Sequence, residues 1–488
     1  MLSFTGSLIF LIAGYFIYGL LAEKIFGIDP SRPTPAMTRS DGVDYVPLPA
    51  WKVFLIQFLN IAGLGPIFGA IMGIMFGPAA YLWIVLGTIL AGGVHDFVSG
   101  MISLRSGGES LPEIVGRELG PGVKQVMRGF SVVLLLLVGG VFVETTSGLI
   151  ASLTPAGLDA TFWALVIFLY YLMATLFPVD KIIGNCYPVF AAVLLFMAVG
   201  LTWVMFFGDV HVPEAFAGGL GNRYPEALRD THPVFPMLFI SIACGAISGF
   251  HATQSPMMAR CIKNERMARP VFYGAMVAEG IVALIWAAAT ITFTQGYEGL
   301  AEYMSQPGHN PSSLIHDIST SWLGTVGGII AVIGVIAAPV TTGDTALRSA
   351  RLIVADFTHF PQTKFWQRVV ISLPLFALTF LVMSIDFNVL WRYFAWSNQT
   401  LAVFTLWGCT VYLARHGRSC LITLFPAMFM TMVCTTYILM APAPEGLGLG
   451  APLSIGSGIA CMLLLTALFL RYRNSLQRQP TAPATRMN

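Results

Sequence analysis

The sequence predicts an all-α polytopic membrane protein of about 13 transmembrane helices, built around two inverted halves of five helices each. Composition, the repeated length of the apolar runs and the alternation of basic loops predict it. Of 488 residues, 56% are hydrophobic and 10% charged, and the mean hydropathy is +0.76, against about 25% charged residues in soluble domains. A helix needs about 20 apolar residues to cross a hydrocarbon core. Such runs recur at 3–22, 52–75, 79–103, 123–151, 160–177, 185–207, 235–258, 270–294, 321–345, 367–386, 389–413, 420–440 and 451–471. Their hydrophobicity is continuous rather than alternating, which excludes a transmembrane β-barrel.

The first run resembles a secretory leader over Leu8–Ala22, but no basic segment precedes it and Glu23-Lys24 follows where a small-residue cleavage site would stand. It therefore reads as a retained helix. Counted from there, Lys and Arg fall on alternate loops, as cytoplasmic retention of positive charge requires. One side takes Lys24, Arg32, Arg39, Lys52, Arg105–Arg128, Lys181, Arg260–Arg269, Arg348–Arg368, Arg415, Arg418 and the tail from Arg471. The other takes Arg223 and Arg229, with Arg392 at the edge of a span. This places the N-terminus outside and the C-terminus in the cytoplasm. The resulting organisation is a leading helix and loop (1–50), a first five-helix repeat (51–207), an extracytoplasmic loop (208–234), an inverted second repeat (235–413) and two accessory helices with a tail (414–488).

Net charge is +2, with no concentrated basic face, which argues against a nucleic-acid partner. Seven cysteines (Cys186, Cys244, Cys261, Cys409, Cys420, Cys434, Cys461) lie mostly in apolar runs without CxxC spacing. They read as packing residues, with neither disulfide nor zinc expected, and no cofactor is implied beyond a coupling ion, H⁺ or Na⁺.

Two spans should break. The second carries Asn60-Ile61-Ala62-Gly63-Leu64-Gly65-Pro66-Ile67-Phe68-Gly69 in mid-membrane, where Pro removes a backbone donor and each Gly weakens a helix by about 1 kcal/mol. Five spans later Gly245, Ser248, Gly249, His251, Thr253, Gln254, Ser255 and Pro256 repeat the pattern. Five is odd, so a copy beginning five helices later enters from the opposite face. Paired broken helices in inverted repeats mark the substrate site of secondary transporters, because unwound backbone presents free polar groups near the midplane. Close helix packing through small residues is the structural alternative. The substrate-binding set is Asn60, Gly63, Gly65, Pro66, Gly69, Ser248, Gly249, His251, Thr253, Gln254, Asn398 and Gln399.

Ionisable groups within the bilayer are costly and so form a functional shortlist. His95 and Asp96, Glu144 and Asp344 are the expected proton-coupling residues. If Asp96 were structural, Arg105 or Arg348 would be its partner, and His95 reads more readily as a packing group. Glu144 has no basic residue within a turn or two along the chain, so unless a distant Lys or Arg reaches it, desolvation of the carboxylate favours carrying a proton. Thr341 and Thr342 offer hydroxyls for a sodium site completed by carbonyls at Ala62 to Gly65, unless they bond their own helix. Arg392 reads as a snorkelling residue. A channel would show rings of pore-lining motifs. An embedded enzyme using His95, Asp96 and His251 would lack HExxH-type spacing, and a receptor would lack a large cytoplasmic domain.

Four segments carry a family resemblance. They are Gly93-Val94-His95-Asp96-Phe97 with Ser103-Leu104-Arg105-Ser106-Gly107-Gly108, Gly245 to Pro256, Thr342-Gly343-Asp344-Thr345-Ala346-Leu347-Arg348, and Trp391 to Ala402. Together they resemble the carbon starvation protein A family of bacterial membrane transporters over nearly the whole chain. The resemblance implies the amino acid–polyamine–organocation (LeuT/APC-type) core. It also implies residence in the inner membrane and uptake of pyruvate or short peptides, that is, of a small carboxylate or peptide substrate. Gly343 departs from the expected pattern, which has a larger residue before the Asp, and the 488-residue length suggests a compact branch.

Overall fold

The computed structural model describes residues 1–155, 157–177, 183–385 and 387–478; Lys181, the side chain of Cys186 and the tail beyond 478 lie outside them. Every element among the described residues is helical. The helices are α1 (Leu2–Phe26), α2 (Ala50–Ile61), α3 (Gly65–Ile74), α4 (Ala79–Arg105), α5 (Leu111–Leu119), α6 (Pro121–Ser152), α7 (Ala160–Leu176) and α8 (Ile183–Phe207). There follow α9 (234–241), α10 (Gly249–Ala259), α11 (Glu265–Phe293), α12 (Tyr297–Ser305), α13 (Pro311–Thr358), α14 (Phe365–Val382), α15 (Phe387–Arg415), α16 (Leu421–Met440) and α17 (Ala451–Arg478). Nine of the described helices are long and apolar enough to cross a membrane, ten when the bent pair α2–α3 counts as one span. The chain is a multi-pass membrane protein.

Local chemistry explains the boundaries. Gly27 closes α1 in the left-handed conformation at φ 74°, a position that glycine adopts without a Cβ penalty. Helix α13 reaches 48 residues, well beyond the run at 321–345. Asn310 and Ser313 cap its start reciprocally, and a kink at Gly324 (φ 69°) lets it turn before entering the bundle. Wide π-helical turns open α3, α9 and the membrane segments of α4 and α11, three of them with proline in the first two positions or within the turn. The short helices α5 and α12 are amphipathic segments between runs and carry no apolar stretch of spanning length.

Apolar side chains face outward on the peripheral helices: Phe10 and Ile17 on α1, Trp203 and Phe207 on α8, Trp366 and Leu373 on α14, Leu463 and Leu464 on α17. Helices α4 and α11 are wrapped by the others and largely buried. At one end of the bundle Arg105 donates to Gly27 O (2.7 Å), Leu48 N donates to Cys261 O (3.1 Å), and Arg348 and Arg351 pair with Asp44 at 3.0 and 3.1 Å. The basic loops assigned to a single side thus meet there. The 208–234 loop lies at the opposite end, where Arg223 N bonds Phe76 O at 3.3 Å and Tyr297 OH bonds Ala215 O at 2.9 Å.

Candidate functional site

Both helices expected to break do so. Helices α2 and α3 meet at 56° across 62–64, where Gly63 N folds back onto Ile61 O at 2.8 Å. Above the bend, the carbonyl of Leu59 accepts hydrogen bonds from Thr342 Oγ1 (3.0 Å) and Thr341 Oγ1 (3.3 Å). The threonine pair therefore reaches the first break, at Leu59 rather than at the carbonyls of Ala62 to Gly65. Both hydroxyls also bond Ala338 O within their own helix. Gly63 lies so close that a Cβ there would stand 3.2 Å from Thr342 Oγ1. Asn60, in the last turn before the bend, is fully buried, and neither its amide oxygen nor its nitrogen has a hydrogen-bond partner; the same holds for Gln57, one turn earlier.

The second break spans 242–248, between α9 and α10, and its polar groups are held by side chains from other helices. Asn398 Oδ1 accepts from Phe250 N (2.7 Å) and Ser248 Oγ (3.0 Å), Gln399 Nε2 donates to Ile247 O (3.0 Å), and Thr88 Oγ1 donates to Gly245 O (3.1 Å). Asn398 and Gln399 thus brace the unwound backbone, and the Phe250 N–H at the start of α10 is already occupied. Gly249 packs against the backbone of Asn398 and Ala402, leaving no room for a Cβ. Thr253 caps Phe250 O at 2.6 Å, and Gln254 lies between Thr253 and Ser349.

The two breaks cross. A Cβ on Gly65 would overlap Cys244, one on Gly69 would stand 2.8 Å from Ser241 O, and one on Gly245 3.6 Å from the Cα of Pro66. The glycines therefore serve close approach as well as unwinding, so the packing explanation and the unwinding explanation act on the same residues.

Asp96 pairs with histidines, and neither arginine expected for a structural role reaches it. His95 Nδ1 lies 2.7 Å from Oδ1, and His251 Nδ1 lies 2.9 Å from Oδ2. Arg105 instead pairs with Glu265 at 2.9 Å, and Arg348 with Asp44 at 3.0 Å. The other face of His251 looks at Glu279, Nε2 to Oε2 3.4 Å, and all four side chains are fully buried. His95, expected as packing, is a hydrogen-bonding member of this chain of groups. Glu279 escaped the sequence shortlist although it is a lone acid in the apolar run Ala275–Phe293, to which the argument that selected Asp96 applies equally.

Asp344 sits elsewhere, between Tyr170 OH (2.7 Å) and Tyr187 OH (2.8 Å), and the single Tyr187 hydroxyl proton is shared with Thr341 O, 2.7 Å away. Among the described residues no Lys, Arg or His lies within 4.0 Å of it. Tyr171 explains Gly343, because its hydroxyl and ring occupy the volume that a side chain there would need. Glu144 is half-buried on the wall of a separate cavity of about 740 Å³ with Ser147, Asn310, His316 and Asp317. That cavity is at the 208–234 end. Arg392 pairs with Glu445 at 2.8 Å.

Fold, buried polar chain and paired breaks define a multi-pass membrane protein with two interrupted helices crossing in its core. MhsT, solved in complex with L-phenylalanine, superposes with a TM-score of 0.54 over 85% of this chain and 97% of its own, at 14% identity; the two share a fold. The profile of the carbon starvation protein CstA family matches residues 1–205 and 156–326, and the chain belongs to that family. An uncharacterized membrane protein of Haemophilus influenzae is 43% identical over 350 residues, covering 62% of this chain and 94% of its own. The pyruvate/proton symporter BtsT of Escherichia coli is 30% identical over 342 residues and the peptide transporter CstA of Campylobacter jejuni 30% over 337, covering 57% and 56% of this chain. The chain spans about half the length of each of these two transporters, 47% in both cases.

Proposed function

We propose that the chain is a secondary active symporter that takes up a small carboxylate such as pyruvate, or a short peptide, by alternating access. The observation that carries this reading is the buried, unpartnered amide of Asn60, beside Gln57 and immediately before the 56° bend. Buried polar groups are rarely left without a partner, and an amide offers both a donor and acceptors to a carboxylate or a peptide group. The broken pair rocks against the remaining helices and shows this site to each side in turn. In this reading the chain crosses the membrane thirteen times, adding 160–176, 234–259 and 387–415 to the ten spans, with the N-terminus outside. Spans two to six and seven to eleven are inverted repeats. Wide turns at corresponding places near the starts of spans three and eight, 83–92 and 269–274, support that pairing.

A proton is the proposed coupling ion, carried by Asp344. Two tyrosine hydroxyls hold the carboxyl, no Lys, Arg or His among the described residues lies within 4.0 Å of it, and Tyr187 links it to Thr341 at the first break. One proton with one monocarboxylate moves no net charge, and each pH unit supplies about 1.4 kcal/mol, a tenfold accumulation. Sodium is the second reading, favoured by the Thr341 and Thr342 hydroxyls on Leu59 O. The test is uptake of radiolabelled pyruvate by proteoliposomes with an imposed pH gradient in sodium-free buffer, with dipeptide as competitor. Accumulation supports the proton reading. Uptake only with sodium moves the ion to the threonines, and uptake of neither pyruvate nor dipeptide under any gradient refutes the symporter.

A further inference from the structure

We propose that Cys244, His251 and Glu279 form a binding site for a divalent transition-metal ion of the zinc type. The cysteine comes from the unwound segment 242–248, the histidine from α10 and the glutamate from α11. Their ligand atoms all lie within 4.8 Å of one another, and no side chain of the three is more than 4% exposed.

The histidine is oriented as a ligand. A carboxylate only accepts hydrogen bonds, so the Asp96 contact at 2.9 Å places a proton of His251 on Nδ1 and turns Nε2 toward Glu279, where the neutral imidazole presents a lone pair. That arrangement, carboxylate to imidazole to open nitrogen, is how outer groups fix a metal-binding histidine. His251 Nε2 and both oxygens of Glu279 have no hydrogen-bond partner. Two heteroatoms 3.4 Å apart in a dry interior share either a proton or a metal ion, and the ion takes the proton's place when it binds. Nitrogen and oxygen ligands at zinc distances of about 2.0–2.1 Å, set at a tetrahedral angle, lie about 3.3 Å apart. The observed separation matches.

Cys244 supplies the sulfur, and Asn398 Nδ2 donates to it at 3.4 Å, an outer hydrogen bond of the kind that steadies a thiolate. A thiolate, imidazole and carboxylate set favours zinc or cobalt over magnesium or calcium, which select all-oxygen sites. When the divalent ion enters, the Cys244 thiol and the Glu279 carboxyl each release a proton, so the net charge of the buried cluster is unchanged. Three protein ligands leave the fourth tetrahedral position for water. The ion would tie the second break to α11, and the site stands independently of the substrate and coupling ion proposed above.

The test is titration of chelator-treated, purified full-length protein with Co²⁺, followed by thiolate-to-cobalt charge-transfer absorption, with bound metal measured by elemental analysis. We expect the band to saturate at one equivalent. It should be lost in Cys244→Ser and retained in Cys409→Ser, whose buried cysteine lies outside the cluster. Glu279→Gln keeps the side-chain shape and should weaken binding at least tenfold while leaving the band, which guards against a folding artefact in the cysteine variant. No thiolate band in the wild type, a band that survives Cys244→Ser, or unchanged affinity in Glu279→Gln would each overturn the assignment.

Discussion

The two broken helices look alike in sequence and differ in how their polar groups are satisfied. At the second break, Thr88, Asn398 and Gln399 reach in from other helices and bond Gly245 O, Phe250 N and Ile247 O. At the first, the threonine hydroxyls take one carbonyl, Leu59 O, while the amides of Asn60 and Gln57 stay unpartnered in a buried setting. The comparison teaches that unwinding alone does not make a binding site. At the second break the unwound backbone is braced by its own protein, and the groups left unmatched there are His251 Nε2 and Glu279, which suit a metal ion; at the first the unmatched groups are amides, where a polar substrate gains most from arriving.

A third region sets the scale for breaking this comparison. Asp44, in the loop after α1, is buried between Arg348 and Arg351. Burial alone would push its carboxyl up, but the two guanidiniums hold it well below the usual carboxylate range. Asp44→Asn leaves two buried guanidiniums without their anion and should cost about 3–5 kcal/mol, read as a large fall in Tm in detergent. Because the folded value lies below the unfolded one of about 4, the contribution is complete above that pH and is lost only as the pH falls below it. Stability due to this contact should therefore be flat between about pH 5 and 8.

Asn398→Ala should come next. It strips the acceptor from Phe250 N and Ser248 Oγ, each unmatched buried group costing about 1–3 kcal/mol, and so should lower Tm clearly. Equal stability in this variant would remove the distinction between a braced and an unbraced break. Thr342→Val, which deletes one hydroxyl to Leu59 O, should cost about 1 kcal/mol. Its uptake in sodium-free buffer should match wild type under the proton reading, and a defect that appears only in added sodium would favour the second reading. Asn60→Ala should change Tm least of all, because no partner loses a hydrogen bond.

The broken spans were legible because Gly and Pro act locally: Gly63, Gly65 and Pro66 disfavour a helix whatever surrounds them. The basic end was legible for a similar reason, since loop charge is read along the chain. Partners were not. Asp96 and His251 are 155 residues apart, and nothing in either segment says that Asp96 meets two histidines rather than Arg105 or Arg348. Asn398 and Gln399 were visible as polar residues in a span, yet whether they face a substrate or a backbone depends on the packing of α15 against α10. Gly343 looked like a departure until Tyr171 supplied the missing volume. Glu279, an acid between Ala278 and Gly280 in an otherwise apolar helix, carried the same signal as Asp96, but not that it faces His251.

The most direct measurement is the concentration dependence of pyruvate uptake by Asn60→Ala in proteoliposomes, alongside its Tm. The account predicts a KM raised about tenfold, the loss of about 1.4 kcal/mol of binding, with Tm unchanged. An unchanged KM, or a fall in Tm that accounts for the loss of uptake, would contradict the assignment of the first break as the substrate site.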